Sequence, residues 1–336
     1  MLDETISPPL VAVADAPIRV VAVGGGTGLP RVLEGLSAGD VDPGEERLVE
    51  VTAIVTTSDD GGSSGELRRR YGVPAPGDVR NCLVALAGGS SPLASVFQHR
   101  FEGGGALGGH TIGNLVLTAL AQRLGDFGRA VDAAAAMLGV RGRVVPATVA
   151  PVELVAELAD GRVVRGETAI AAAHGRVATL RLAGPAEASR EAVEAIREAD
   201  VVVLGPGSLY SSVLAGLLVP GIPDALRSTG ATRVLVVNLF TQAGETDGYD
   251  AADHVRAVQR HLGDVVDVAL AHRPPLPDEV VAAYAAEGAE PVRVEREAID
   301  AAGAVPVITD LASQRERGRH DPAKLSRALL AIGRVR

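Results

Sequence analysis

Apolar positions along the chain come in short β-branched runs that end on glycine, each followed by a stretch with helical spacing. Residues 18–23 form such a run. Gly24-Gly25-Gly26-Thr27-Gly28 closes it, and Leu29, Val32, Leu33 and Leu36 then fall on one helical face, which predicts strand, loop and helix. A second strand is expected over residues 49–56, leading into the polar stretch Ser58-Asp59-Asp60-Gly61-Gly62-Ser63-Ser64-Gly65, read as a loop reaching Arg70. Helical spacing follows at 80–87, 92–99, 111–124 and 128–138. Residues 143–182 change character, with short strands at 152–158, 162–166 and 176–182 and a hairpin turn at Asp160-Gly161, and are expected to form a small antiparallel insertion. The alternation then resumes: helix 189–199, strand 200–204, Gly205-Pro206-Gly207-Ser208 opening a helix, strands at 233–238, 266–271 and 291–294, and helices at 251–262, 278–287 and 322–333.

This order predicts an α/β fold: a Rossmann-like, doubly wound, mostly parallel sheet with helices on both faces. Residues 1–17, with Pro8 and Pro9 and no sustained period, read as a flexible leader to a single domain over 18–336. Composition agrees, since hydrophobic residues make up 47% of the 336 but aromatic ones only 2%, so Val, Leu, Ile and Ala must build the core. A formal charge of −10 repels a phosphate backbone and argues against nucleic acid as a partner. Cys82 is the one cysteine, which removes disulfides and cysteine-cluster metal sites. With Asp3 and Glu4 near the start and no apolar run long enough to span a bilayer, a cytoplasmic protein without a membrane span is expected.

The candidate chemistry sits on the loops. Gly25, Gly26, Thr27 and Gly28 let backbone approach a phosphate in front of a helix N-terminus. The loop lacks the Gly-Lys-Ser/Thr ending of a kinase-type P-loop, and Leu29 stands where the dinucleotide pattern wants its third glycine. Asp59 and Asp60, with Ser63 and Ser64, could hold a ribose, a magnesium ion or a reacting hydroxyl, or form only a solvated turn. Asp78 reads as a helix cap that places Arg80 and Asn81 on the first turn, where Arg80 meets either a phosphate or an acidic neighbour. His110 and Asn114, four apart at a helix start, would share a face, with no second histidine at zinc spacing. Gly205, Gly207 and Ser208 form a second anion-binding turn by the argument used for the first. Asn238, Thr241 and the loop through Tyr249 supply amide, hydroxyl and carboxylate groups suited to sugar or base edges.

Six motifs in order resemble the gluconeogenesis factor (YvcK-type) family. They are Val23 to Pro30, Asp59 to Gly65, Pro76 to Asn81, Gly109 to Asn114, Gly205 to Tyr210 and Gly244 to Tyr249. That family lies in one superfamily with the 2-phospho-L-lactate transferase (CofD). The resemblance implies a cytoplasmic factor for cell shape and envelope synthesis on gluconeogenic carbon sources that binds UDP-sugars such as UDP-N-acetylglucosamine. By the same resemblance, Tyr284 is assigned to stack on base or sugar and Arg319 to fork onto a diphosphate. The first loop departs from the Gly-Gly-Val-Gly-Gly type of the transferase branch. The leading expectation is therefore a UDP-sugar-responsive regulator, a homo-oligomer that engages protein partners in envelope precursor synthesis, with no firm cofactor. The alternatives are a magnesium-dependent phospho-group transferase using Asp59 or Asp60 and a nicotinamide-dependent oxidoreductase.

Overall fold

A computed structural model describes residues 16–38, 49–88 and 91–333. The expected leader lies outside the described residues except for Ala16 and Pro17, which carry no regular structure. Ten strands follow: β1 (Ile18–Gly24), β2 (Val49–Val55), β3 (Arg143–Pro146), β4 (Glu153–Leu158), β5 (Val163–Arg165), β6 (Val177–Ala183), β7 (Val201–Leu204), β8 (Thr232–Val236), β9 (Val268–His272) and β10 (Val305–Thr309). Seven form one parallel sheet in the order β10-β9-β8-β7-β1-β2-β3, and β5-β4-β6 form a separate antiparallel sheet.

Alternation along β1 explains the layers. Val20 and Ala22 face one core with the helices Leu29–Ser37, Gly77–Leu86, Ile112–Leu124, Phe127–Leu138 and Pro322–Gly333. Val21 and Val23 face the other, with Arg190–Glu198, Ile222–Ser228, Ala251–Leu262 and the antiparallel sheet. A strand buried on both faces is the parallel-sheet signature that the continuous β-branched runs announced. No single helix among the described residues is long and apolar enough to cross a membrane.

Several features differ from the sequence reading, among them helices at Glu167–Ala172, Ile222–Ser228 and Arg296–Ala301 that it did not anticipate. Arg143–Pro146 is the edge strand of the main sheet, paired with β2, so the antiparallel insertion begins only at Glu153. Residues 291–294 do not form a strand; Pro291 makes one isolated bridge to Phe240, and the last strand is instead β10. The polar loop ends at Gly61, because Gly62–Tyr71 is helical, with Ser63 and Ser64 in its first turn. Asp78 does not cap its helix: Pro76 occupies that position, and the Asp78 carboxylate reaches elsewhere.

Candidate functional site

The strand order reverses between β1 and β7, since the chain moves from β1 out to β2 and β3 and then restarts on the other side. In open parallel sheets such a switch point leaves a crevice beyond the carboxyl ends of the strands, where ligands bind. Both glycine loops leave the sheet there and pack on each other. A methyl group on Gly28 would run into the Pro206 carbonyl, and one on Gly207 would lie 3.3 Å from the Gly25 carbonyl oxygen. A cleft of about 410 Å³ opens above them, closed by residues 238–243, Tyr284 and the Gly318–His320 turn.

In the first loop Gly26 has a left-handed backbone (φ 63°), and Thr27 is exposed. Gly25 has no room for a side chain, because a Cβ would sit 2.6 Å from the Thr56 methyl and against the Asp78 carboxylate. That carboxylate accepts the Gly26 N–H. The N–H groups of Thr27 and Gly28 donate to no backbone carbonyl among the described residues, and no acidic side chain occupies the first turn of Leu29–Ser37. This end of the helix therefore presents free donors and the positive end of its dipole.

The second loop is held by side chains. Asn238 Oδ1 accepts the Gly207 N–H at 3.1 Å and Asn238 Nδ2 donates to the Gly207 carbonyl at 2.7 Å, so this amide positions the loop. The Ser208 hydroxyl donates to Gln242 Oε1 at 2.6 Å. Thr241 ties its segment to Glu290, donating through its N–H at 2.8 Å and accepting at Oγ1 at 2.9 Å. Tyr284 stacks on Phe240 with centroids 4.0 Å apart and an interplanar angle of 10°, which leaves at most one ring face for a ligand. Arg319 lines the cleft, exposed, its guanidinium without a hydrogen-bond or ion-pair partner among the described residues. The sequence reading missed Arg31, which also lines the cleft and is paired to Glu34 at 3.0 Å and to Glu316. His320 is buried and held neutral, its imidazole pushed down to about 4 by burial, and bonds the Val237 carbonyl at 3.2 Å.

Most of the remaining candidates bond to one another. Ser63 Oγ meets His110 Nδ1 at 2.9 Å and receives Asn114 Nδ2 at 3.0 Å, so the pair expected to share a helix face converges on one hydroxyl. Arg80 donates to Thr111 Oγ1 (2.6 Å), Asn114 Oδ1 (2.9 Å) and Asn81 Oδ1 (2.7 Å). Burial lowers its guanidinium to about 10, Arg100 adding to the shift while Asp78 and Asp59 oppose it. Ser64 is buried against Gly77. Asp60 Oδ1 accepts the N–H and hydroxyl of Thr168 at 3.0 and 2.7 Å, anchoring the insertion, whereas Asp59 Oδ1 accepts the nearby Gly61 N–H at 2.9 Å.

Three further acids, Asp78, Glu167 and Glu245, complete this wall. Burial pushes the Asp78 carboxyl up to about 6; Asp59 adds to the rise, and the Gly26 N–H and Arg80 oppose it. Glu167, brought in by the helix Glu167–Ala172 of the insertion, is pushed up to about 9 by burial and then by Asp59, Asp78, Glu245 and Asp60. Glu245 is also raised by burial, against donors from Ser211 and Tyr210. Asp78 and Glu245 lie inside motifs of the sequence, but nothing local marks Glu167 or shows that the three meet. Asp78 follows a helix start, and Glu167 and Glu245 lie in the insertion and a turn, so only the tertiary fold brings them together. No three of His, Cys, Asp and Glu among the described residues converge as a metal cage.

The family model described as 2-phospho-L-lactate transferase CofD matches residues 20–312, from β1 through both glycine loops and past β10. The chain belongs to the CofD family. Its relatives include the gluconeogenesis factor of Halalkalibacterium halodurans, 46% identical over 317 residues covering 93% of this chain and 95% of that protein. The gluconeogenesis factor of Bacillus subtilis is 42% identical over 318 residues, covering 94% and 98%. A crystal structure of a UPF0052-family protein from Bacillus halodurans superposes with a TM-score of 0.88 at 44% identity, covering 94% of this chain and 99% of that one. In this CofD-family chain the sequence-derived candidates thus fall into two walls: Gly26 to Gly28, Gly207, Ser208, Asn238, Thr241, Tyr284 and Arg319 around the cleft, and the candidates from Asp59 to Asn114 beside it, while Gly25 and Gly205 are buried and do not line the cleft.

Proposed function

We propose that the cleft binds a nucleotide sugar of the UDP-N-acetylglucosamine type, and that the chain is a ligand-responsive cytoplasmic factor supporting envelope synthesis and cell shape during gluconeogenic growth. The observation that carries the ligand class is the cleft at the switch point, lined by an anion-ready glycine loop, the unpaired Arg319 guanidinium and the Phe240–Tyr284 stack. A diphosphate takes the loop and the guanidinium; a ring or sugar takes the stack. The relatives' name, gluconeogenesis factor, supports the physiological setting. The test is a crystal soaked with UDP-N-acetylglucosamine: density with phosphates within hydrogen-bond reach of Thr27 and Arg319 supports the reading, and a ligand bound elsewhere refutes it.

A second reading, phospho-group transfer, is favoured by one observation: the acidic wall includes Glu167, a carboxyl protonated at neutral pH, beside Asp59. A carboxyl held protonated by burial can serve as a general acid. Incubation with UDP-N-acetylglucosamine and candidate acceptor alcohols decides it. Product that disappears in Asp59→Asn while ligand binding persists supports transfer, and absence of any product removes it.

A further inference from the structure

The two glycine loops look alike in sequence, yet their helix ends are not equivalent. The first turn of Leu29–Ser37 holds no acid. The turn after the second loop, Leu209–Leu214, already has a partner: Glu245, 2% exposed, accepts the Tyr210 N–H at 3.3 Å and further donors from Ser211. The same carboxylate fixes the polarity of what lies above it. Gln242 Nε2 donates to Glu245 Oε1 at 3.4 Å, which turns the amide oxygen toward Ser208, and Ser208 gives its one hydroxyl proton to that oxygen. Ser208 does not cap its own helix turn. Its remaining capacity on the cleft side is lone pairs.

We infer that the second loop is not a phosphate cradle but a reader of ligand donors: Ser208 Oγ accepts a hydroxyl or N–H of the bound nucleotide sugar, its polarity set through Gln242 by Glu245, while the diphosphate lies on the first loop. This rests on the proposed nucleotide-sugar reading for the identity of the ligand. A phosphate oxygen at Ser208 would set acceptor against acceptor, an arrangement that costs the hydrogen bond. A sugar hydroxyl or an imide N–H meets the site with its polarity matched.

Two experiments test it. In competition calorimetry, Ser208→Ala is expected to weaken UDP-N-acetylglucosamine about tenfold, the size of one lost hydrogen bond to a buried partner, while inorganic pyrophosphate stays within about twofold. Equal losses for both ligands, or no loss for either, overturn the inference. Neutron diffraction from crystals of the free protein locates the Ser208 deuteron without any ligand: on the line to Gln242 Oε1 it supports the inference, and pointing into the cleft it overturns it. Should the wild type bind no UDP-N-acetylglucosamine at all, the nucleotide-sugar reading falls, and the neutron result still decides the polarity of Ser208.

Discussion

Single residues here are constrained by what touches them across the crevice. Gly28 lies against the Pro206 carbonyl, so a β-carbon must push the two loops apart. Gly28→Ala is expected to lower stability by about 1–3 kcal/mol, as overpacking does, and to abolish ligand binding, measured by urea unfolding and titration. Retained binding at wild-type stability would mean the loops do not pack as described. The Arg319 guanidinium has no protein partner among the described residues, so Arg319→Ala should leave the melting temperature unchanged and weaken a diphosphate ligand by about 10–100-fold. Asn238 illustrates how a residue type can be legible while its use is not. An amide at a strand end reads as a base contact, but both of its ends are spent on the Gly207 peptide, 31 positions away.

At the scale of elements, the insertion matters because it delivers a buried acid. Thr168 bonds Asp60 through both its N–H and its hydroxyl, and Gly244 lies against the Ala171 carbonyl, which fixes the helix Glu167–Ala172 over the acidic wall. From the ordinary carboxyl range up to about 9, the folded chain holds a proton on Glu167 that the unfolded chain has released. Stability contributed by that neutral carboxyl therefore falls as pH rises through this window. Glu167→Gln removes the dependence, and urea unfolding at about pH 6 and about pH 8.5 should show the variant gaining roughly 1 kcal/mol or more on the wild type. Parallel pH dependence would show that Glu167 titrates normally. The insertion strands were readable from β-branched runs around Asp160-Gly161, but not where the insertion begins. The run at Arg143–Pro146 is short and ends in proline, and only its pairing with β2 makes it part of the main sheet. Val305–Thr309 was missed for a related reason, as Pro306 at its second position argues against a strand and is tolerated because β10 is at the edge of the sheet. The helix Gly62–Tyr71 hides behind two glycines; a Cβ on Gly65 would collide with the Asp60 carbonyl, so that glycine serves the close approach of the loop to its own helix.

Across the whole molecule, the parallel sheet was legible because its central strands are buried on both faces and so read as unbroken apolar runs. The loops at its carboxyl edge were legible because glycine, serine and aspartate cluster there. What sequence could not supply is the strand order, and the order decides the site: with β7 beside β1, two loops about 180 residues apart form one crevice, while the Ser63–His110–Asn114–Arg80 network supports its flank. Whether this crevice takes a nucleotide sugar is decided by calorimetric titration of the wild-type chain with UDP-N-acetylglucosamine. Saturable one-to-one binding that Arg319→Ala weakens without loss of fold is expected; no heat of binding at millimolar ligand, or binding indifferent to Arg319→Ala, would contradict it.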